Sequence, residues 1–272
     1  MLIDSHCHLD DFAASGELDA VLERAREAGV EAMITVGTSL SDWETYARIT
    51  AAHPGFVHWT AGLHPTEVDE GWKDHVDTLA SWFATSPAPV GIGEVGLDYF
   101  HLPKDAKKAA PIVARQKDAF AAQLEIAYQL DCPLVVHSRN AFADTVAMID
   151  KSGVNWKKVV YHCFSEGPEE IRALNERGGR GSFTGVVTYK NGLRNLEAAV
   201  AQGLELLMLE TDCPWLTPEP FRGKRNEPAL IVHTAQKLAL AMGIPFESLC
   251  ETSTRNAREF FQNLTTCAHA GT

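Results

Sequence analysis

The chain has 272 residues, of which 45% are hydrophobic and 22% charged, an ordinary composition for a globular protein. Its net charge of −12 argues against broad adhesion to nucleic acid through a basic surface, although bound cations would still allow a nucleic-acid substrate. There is no run of about 18 apolar residues, so no membrane span is expected. No basic segment followed by an apolar one begins the sequence, so the default expectation is a cytoplasmic protein without a signal peptide.

The cysteines are expected to be reduced thiols. None forms a C-x-x-C pair, and most lie in strand-like segments or beside residues of chemical interest. We therefore expect buried thiols that pack as small apolar groups, and no disulfide framework. The six residues are Cys7, Cys132, Cys163, Cys213, Cys250 and Cys267.

The first half of the chain predicts strands and helices in alternation. Leu2 and Ile3 begin a short buried strand, and apolar residues then recur at helical spacing over 17–29, which ends at Gly29. Ser41 is the candidate N-cap of the next helix. The other elements expected in this half are strands at 32–36, 57–63 and 90–95 and helices at 41–52 and 72–84.

The second half continues the alternation. Pro111 suits the first turn of a long helix, so the polar segment 101–110 is expected to be a loop. A second loop is expected at 213–225, and Asn226 is expected to cap the helix that begins at Pro228. The other elements expected here are strands at 133–136, 159–161, 182–188 and 206–209 and helices at 142–151, 168–177, 193–202, 228–242, 246–250 and 254–261.

Eight strand candidates, each followed by a helical stretch, predict an α/β protein with a single (β/α)8 TIM barrel. A doubly wound open sheet is the alternative. That fold usually carries a glycine-rich turn after its first strand, where this chain has His6-Cys7-His8. The barrel domain is expected to cover 1–264, and 265–272 is expected to be a disordered tail.

Residues that bind metals occur where the predicted strands end. His6 and His8 alternate along an extended segment, so they project from the same face of the first strand. Because the carboxyl ends of barrel strands converge on one face, the later candidates are expected to meet this pair. Six ligands exceed the need of one tetrahedral ion and suit two ions that share a carboxylate. The candidate metal ligands are His6, His8, Glu94, His137, His162 and Asp212.

Each of these residues taken alone also has a structural explanation. Glu94 alone would suit a buried ion pair, although its apolar neighbours make an unpaired carboxylate costly there. His137 and His162 alone would usually be core histidines with satisfied hydrogen bonds. For His64, at the end of the third strand, a role in the pocket and a structural role are equally expected. The metal-binding interpretation depends on the residues as a set.

Several longer runs strengthen that interpretation. They are DSHCH at 4–8, GLHP at 62–65, GEVGLDY at 93–99, VHSR at 136–139, YHCFS at 161–165, TDCPWLTP at 211–218 and RGKRNEP at 222–228. Together they resemble the TatD family of metal-dependent hydrolases, within the amidohydrolase-type barrels, over nearly the whole chain to about residue 261. The chain departs from the family pattern at His101, Glu166 and Cys213, none of which is a presumed ligand.

The resemblance implies a division of the ligands between two ions. The first ion is expected to be held by His6, His8, Glu94 and Asp212, and the second by Glu94, His137 and His162. Many related barrels use a carboxylated lysine at the position of Glu94. By ligand type the imidazoles favour Zn²⁺, Fe²⁺ or Ni²⁺, whereas carboxylates and a phosphate substrate suit Mg²⁺ or Mn²⁺. Two divalent ions, with Mg²⁺ or Mn²⁺ for activity, are therefore expected.

The ligand set predicts hydrolysis by a metal-activated water. Asp212 and Glu94 are the candidate catalytic carboxylates, and Asp212 is also the candidate general base. Guanidinium groups fit phosphate oxygens, although a single basic residue in a loop is usually just solvated surface. The expected substrate-binding residues are His64, Arg139, Arg222, Lys224 and Arg225.

The TatD resemblance implies a deoxyribonuclease, often a 3′-5′ exonuclease on single-stranded DNA. Nucleic acid is thus the expected partner, and neither a membrane nor a stable protein partner is expected. Trp215, Tyr99 and Phe221 either stack on bases or pack in the core. Two alternatives stay open: a metal-dependent esterase acting on aminoacyl-tRNA or a small ester, and a non-catalytic metal-binding or scaffold protein.

Overall fold

The structure, a computed structural model, describes residues 1–262 and residue 264. Its strands are β1 (Leu2–Cys7), β2 (Val30–Val36), β3 (Val57–Thr60), β4 (Ile92–Asp98), β5 (Leu134–Arg139), β6 (Val159–Tyr161), β7 (Arg180–Phe183) and β8 (Met208–Leu209). Its helices are α1 (Asp10–Ala14), α2 (Leu18–Glu27), α3 (Leu40–Ala52), α4 (Trp72–Trp82), α5 (Ala106–Leu130), α6 (Phe142–Ser152), α7 (Pro168–Arg177), α8 (Leu193–Gln202), α9 (Ile231–Met242) and α10 (Phe246–Phe261). The predicted disordered tail lies outside the described residues, and the domain limits stay a prediction.

The strands run parallel in chain order. They form two ladders, β1-β2-β3 and β4-β5-β6-β7-β8. A parallel bridge between Ala61 and Ile92 joins the ladders at one seam. At the other seam, the amide of Asp212 donates to the carbonyl of His6 (2.9 Å) and the amide of His8 donates to the carbonyl of Cys213 (2.8 Å). The expected α/β barrel is confirmed.

Apolar side chains fill the amino-terminal end of the barrel. One buried cluster combines residues of five strands, such as Ile34, Val135 and Met208, with Phe260 and Phe261 of α10. These two phenylalanines are buried, so α10 closes this end of the barrel. The predicted metal ligands lie instead toward the carboxyl ends of the strands, where sites form in this architecture.

Glycine allows β4 and β5 to approach each other closely. Gly96 has a φ of +144°, and a Cβ on it would lie 2.0 Å from the carbonyl oxygen of His137. A Cβ on Gly93 would lie 2.5 Å from the Cβ of Val135. The GEVG run thus places Glu94 beside the end of β5, because no side chain separates the two backbones.

Two helix starts differ from the prediction because side chains cap them earlier. Helix α5 begins at Ala106, since the Asp105 carboxylate accepts the Lys107 amide at 2.9 Å; Pro111 therefore lies inside the helix rather than in its first turn. Helix α3 is capped by Ser39 rather than by Ser41, and the Asp42 carboxylate accepts the Ser39 amide at 3.2 Å.

Three predicted elements change extent at the carboxyl-terminal side. The strand predicted at 182–188 ends at Phe183, because Thr184 accepts the amide of Val186 and turns the chain into a 3-10 helix. The helices predicted at 246–250 and 254–261 are the single helix α10.

Among the described residues no single helix is long and apolar enough to cross a membrane. Pro228–Met242 and Phe246–Phe261 pass that test only as a pair, and they are bent by 112°.

Candidate metal centre

The six predicted ligands meet at the carboxyl end of the barrel. Glu94 is buried at the centre of the group, with its side chain 4% exposed. The rings of His6 and His162, which are far apart in the sequence, stack with centroids 3.9 Å apart. The structure therefore brings together the whole set that the sequence singled out. The donor atoms of this set fall into two groups, one at each oxygen of Glu94.

Oxygen Oε2 of Glu94 faces the two histidines of β1. It lies 3.4 Å from His6 Nε2 and 3.8 Å from His8 Nε2. Asp212 Oδ1 lies 3.7 Å from His6 Nε2 and 3.5 Å from His8 Nε2. The two Nε2 atoms are themselves 3.2 Å apart. Four donor atoms thus surround one point, and three of these residues form a compact ligand cluster with their donor atoms within 4.8 Å of one another.

These spacings fit a metal ion better than hydrogen bonds. Ligands about 2.1 Å from one ion lie roughly 3.0–3.4 Å apart, close to the separations observed here. The contacts of Glu94 and Asp212 with these imidazoles, at 3.4 to 3.8 Å, are longer than ordinary hydrogen bonds. Two imidazoles and two carboxylates also form a donor set typical of a divalent transition-metal site. The residues present fit the ion that the fold implies.

Oxygen Oε1 of Glu94 faces the histidines of β5 and β6. It lies 2.7 Å from His137 Nδ1 and 2.7 Å from His162 Nε2. These two ring nitrogens are 3.3 Å apart. The same carboxylate therefore reaches both groups of histidines, one through each oxygen, which is the arrangement expected of a ligand shared by two ions.

Asp98, which is not among the predicted ligands, orients His137. Its Oδ2 lies 3.1 Å from His137 Nε2, so it accepts the ring N–H and holds Nδ1 toward Glu94, where Nδ1 would ligate an ion once it has lost its own proton. The same Oδ2 lies 2.8 Å from Nδ1 of His101, one of the departures from the family pattern. The hydrogen bonds from His137 and His101 outweigh burial and hold the pKa of Asp98 below its ordinary value.

Two further buried carboxylates brace the centre. Glu210 Oε1 accepts the amide of Cys163 and lies 3.7 Å from Nδ1 of His162. Asp4 accepts the amide of Thr211 at 2.9 Å and so ties β1 to the segment that carries Asp212. Burial raises the pKa of Asp4 to about 8. Sequence reasoning missed both residues. The feature that could have identified them is an acidic residue in a strand-like run close to a candidate metal ligand.

The electrostatics of the centre keep its own carboxylates ionised. Burial opposes the charge on Glu94, but the charge of His162 and hydrogen bonds from His137 and His162 hold its pKa well below the usual range. Burial is likewise outweighed at Asp212, where the nearby imidazoles of His8, His6 and His162 lower the pKa. A pair of buried negative charges attracts a cation, and a bound metal would complete their neutralisation.

His64 lies inside the centre as a hydrogen-bond donor. Its Nδ1 accepts the amide of Thr66 at 3.2 Å, which places the ring proton on Nε2. Nε2 lies 3.3 Å from Glu94 Oε1. Burial lowers the pKa of His64, in agreement with a neutral ring. Of its two expected roles, this geometry favours the one in the pocket.

The predicted basic residues differ in what they contact. The guanidinium of Arg139 lies 3.9 Å from the ring centroid of Phe100, and that of Arg222 lies 3.8 Å from the ring centroid of Tyr189. Arg225 instead pairs with Glu17 at 2.7 Å. Within the part of the chain that the structure describes, no acidic side chain pairs with Arg139, Arg222 or Lys224. These three are therefore free to meet an anion.

Asn226 fixes the loop that follows β8. Its amide group donates to the carbonyls of Thr211 (2.9 Å) and Trp215 (2.5 Å), and its backbone N–H donates to Pro214 (3.1 Å). The residue is buried, and its side-chain oxygen accepts only the adjacent Glu227 amide. The predicted helix cap was therefore wrong: Asn226 stabilises the loop because three groups of that loop need partners away from water.

An eight-stranded parallel barrel with histidines and carboxylates at its carboxyl end defines the class of metal-dependent hydrolases. The family model described as TatD related DNase matches residues 3–262, and the chain belongs to this family. The expected membership is thus confirmed.

Known proteins agree with this assignment. The chain is 32% identical to the uncharacterized metal-dependent hydrolase YabD of Bacillus subtilis, over 96% of this chain and 99% of that one. It is 31% identical to the 3′-5′ ssDNA/RNA exonuclease TatD of Pantoea vagans, over 96% and 99%. The crystal structure of YJJV, a TatD homolog from Escherichia coli, superposes with a TM-score of 0.87 at 26% identity, over 96% of this chain and 98% of the other.

Proposed function

We propose that this hydrolase is a divalent-metal-dependent exonuclease that removes nucleotides from the 3′ end of single-stranded nucleic acid, DNA in particular. The observation that carries the proposal is the Glu94 carboxylate with donor groups at both oxygens, which suits the two-ion sites of phosphodiester hydrolysis. The relative from Pantoea vagans, named for 3′-5′ ssDNA/RNA exonuclease activity, supports the same substrate class. The expected deoxyribonuclease activity is part of this proposal.

The ligands divide between two ions as follows. His6, His8, Asp212 and Glu94 Oε2 would hold one, and Glu94 Oε1, His137 Nδ1 and His162 Nε2 would hold the other. When bound, the ions supply an acidified water and polarise a phosphoryl oxygen. Mg²⁺ or Mn²⁺ suits the phosphate substrate, whereas the imidazoles also accept Zn²⁺, Fe²⁺ or Ni²⁺.

Asp212 is the proposed general base. Its side chain is 14% exposed, against 4% for Glu94, so it borders the space that water and substrate enter. Its backbone has a φ of +52° and is held by the hydrogen bond from its amide to His6. Strain of this kind persists where surrounding contacts fix a functional side chain. The lowered pKa of Asp212 keeps the carboxylate ionised, which is the form that a general base must have.

The proposed substrate contacts are polar and basic side chains that can still bind a substrate oxygen. His64 presents its Nε2 proton to the centre, and we assign it to a substrate oxygen or to the orientation of Glu94. Arg139, Arg222 and Lys224 are the proposed phosphate contacts, because they carry no acidic partner among the described residues. Arg225 is the weakest of the expected contacts, since Glu17 already neutralises it.

The proposal includes a cytoplasmic location. The described cysteines, Cys7, Cys132, Cys163, Cys213 and Cys250, are all free thiols, which suits a reducing compartment. Cys267 lies outside the described residues.

The test is hydrolysis of a short single-stranded DNA labelled at its 5′ end. Metal-stripped protein is resupplied with Mg²⁺, Mn²⁺ or Zn²⁺, and Glu94→Ala runs beside Glu70→Ala, whose carboxylate is 93% exposed. We expect a ladder that shortens from the 3′ end, needs metal, survives in Glu70→Ala and is absent in Glu94→Ala. Intact DNA and RNA under every metal, with cleavage of a small carboxylic ester, would contradict the proposal.

A further inference from the structure

Among the described residues, Trp215 is the tryptophan whose side chain is exposed to solvent. It is 56% exposed, whereas Trp43 and Trp59 are fully buried. It lies three residues after Asp212, and its ring centroid is 5.1 Å from that of His8 at an interplanar angle of 66°. A large indole left in water gives up the stabilisation that burial would supply. An exposed aromatic ring beside a metal ligand therefore needs an explanation other than packing.

The backbone under Trp215 is held rigidly. The buried Asn226 amide donates to its carbonyl at 2.5 Å, and its own amide donates to the carbonyl of Asp212 at 3.0 Å. The loop is braced further along by Thr217, whose hydroxyl donates to the carbonyl of Lys224 at 2.6 Å. A ring held in place before binding loses little conformational entropy when a ligand covers it.

A second exposed aromatic residue lies across the centre. Phe100 is 55% exposed, and it carries the Arg139 guanidinium 3.9 Å from its centroid. Phe100 follows β4 and Arg139 ends β5, whereas Trp215 follows β8 and meets His8 at the end of β1. In an eight-stranded ring in chain order, the β4–β5 side lies opposite the β8–β1 side. The two exposed rings thus flank the candidate metal centre.

The other two aromatic candidates are already occupied by protein contacts. Tyr99 donates its hydroxyl to Asp144 at 2.6 Å and is partly buried. Phe221 is partly buried as well, with its ring centroid 5.1 Å from that of His233. Of these four aromatic residues, Trp215 and Phe100 are the two that are more than half exposed.

We infer that Trp215 is a stacking platform for one of the two bases that flank the scissile phosphate, and that Phe100 with Arg139 receives the base on the other side. The inference rests on the proposed function and specifies its substrate as a strand with unstacked bases. Every base has a π face, so such platforms accept all sequences. A paired end must first unstack, which disfavours duplex substrates.

The test compares Trp215→Ala, Trp215→Phe and the wild type on single-stranded DNA with intact or abasic 3′-terminal and penultimate residues. Leu240→Ala is the matched control, because it shortens an apolar side chain that is 80% exposed on α9. We expect Trp215→Ala to lower kcat/KM by roughly 5- to 150-fold, and Trp215→Phe by far less. The deficit of Trp215→Ala must disappear on the substrate that lacks the stacked base.

The outcomes separate this inference from the proposed function. If the wild type degrades DNA and Trp215→Ala keeps normal kcat/KM, or loses the same factor on every abasic substrate, the platform is refuted and the exonuclease stands. If the wild type cleaves no nucleic acid, the exonuclease proposal fails. Fluorescence anisotropy with metal-loaded protein and a labelled oligonucleotide then decides the platform: binding weakened by Trp215→Ala and restored by Trp215→Phe supports it, and equal or absent binding overturns it.

Discussion

The two oxygens of Glu94 face different surroundings. Oε2 lies 3.4 and 3.8 Å from the histidines of β1, distances too long for good hydrogen bonds. Oε1 lies 2.7 Å from both His137 and His162 and is hydrogen-bonded to them. On the Oε2 side the donors are already spaced for an ion, whereas on the Oε1 side an ion must replace hydrogen bonds. We therefore expect two inequivalent metal positions, with tighter binding at Oε2.

The largest expected effect comes from removing the shared carboxylate. Glu94→Ala takes a ligand from both positions at once, so both ions should be lost together. We expect kcat/KM to fall by at least about 10³-fold, since each ion contributes several kcal/mol to catalysis. Metal analysis of the purified variant checks the prediction. Retention of one tightly bound ion would show that Glu94 serves only one of the two positions.

The second-largest expected effect comes from a substitution that changes only the metal position at Oε2. Asp212→Asn keeps the size of the side chain but removes the proposed base, so we expect a loss of roughly 10²–10⁴-fold in kcat. The melting temperature with metal bound should stay near that of the wild type, which distinguishes chemistry from folding. A well-folded variant with nearly normal turnover would exclude Asp212 as the base.

A smaller effect is expected from a substitution that changes only the metal position at Oε1. Asp98→Asn retains an oxygen for the amides of Phe100 and His101, which Asp98 Oδ1 accepts at 2.9 Å each. It loses the carboxylate that orients His137, so affinity at the Oε1 position should fall by roughly 10- to 100-fold. Calorimetric titration with Mn²⁺ measures both positions. An equal fall in metal affinity at the Oε2 position would contradict the conclusion that Asp98 supports only the Oε1 position.

The smallest effect concerns His101. It meets Asp98 Oδ2 at 2.8 Å but is 54% exposed, and exposed contacts of this kind contribute little. His101→Ala should therefore weaken the Oε1 position by no more than about 5-fold. The same titration provides the measurement. A loss as large as that of Asp98→Asn would mean that His101, rather than the buried carboxylate, controls the orientation of His137.

Residues that act at the end of their own strand were predictable from the sequence. His6 and His8 share a face because a strand alternates, and the barrel brings Glu94 and Asp212 to them. The alternation of strands and helices likewise predicts the barrel. The structure places the predicted set together, while the roles of its members stay predictions.

Residues that act through distant partners were not predictable. Asp98 matters because His137, from the next strand, points a ring nitrogen at it. Arg225 stays a predicted phosphate contact, but its ion pair with Glu17, far away in the sequence, was not predictable. Spacing along one chain carries no information about such pairs, since they depend on how neighbouring elements pack. The predicted start of α5 was wrong for a simpler reason. Asp105 caps the helix locally, and this cap outweighs the preference of Pro111 for a first turn.

The sharing of Glu94 between two ions is tested by calorimetric titration of the metal-stripped protein with Mn²⁺. We expect two sites per chain with different affinities, of which only the weaker shifts in Asp98→Asn and both disappear in Glu94→Ala. A single site, or two sites that survive in Glu94→Ala, would contradict the assignment of Glu94 as a carboxylate shared by two ions.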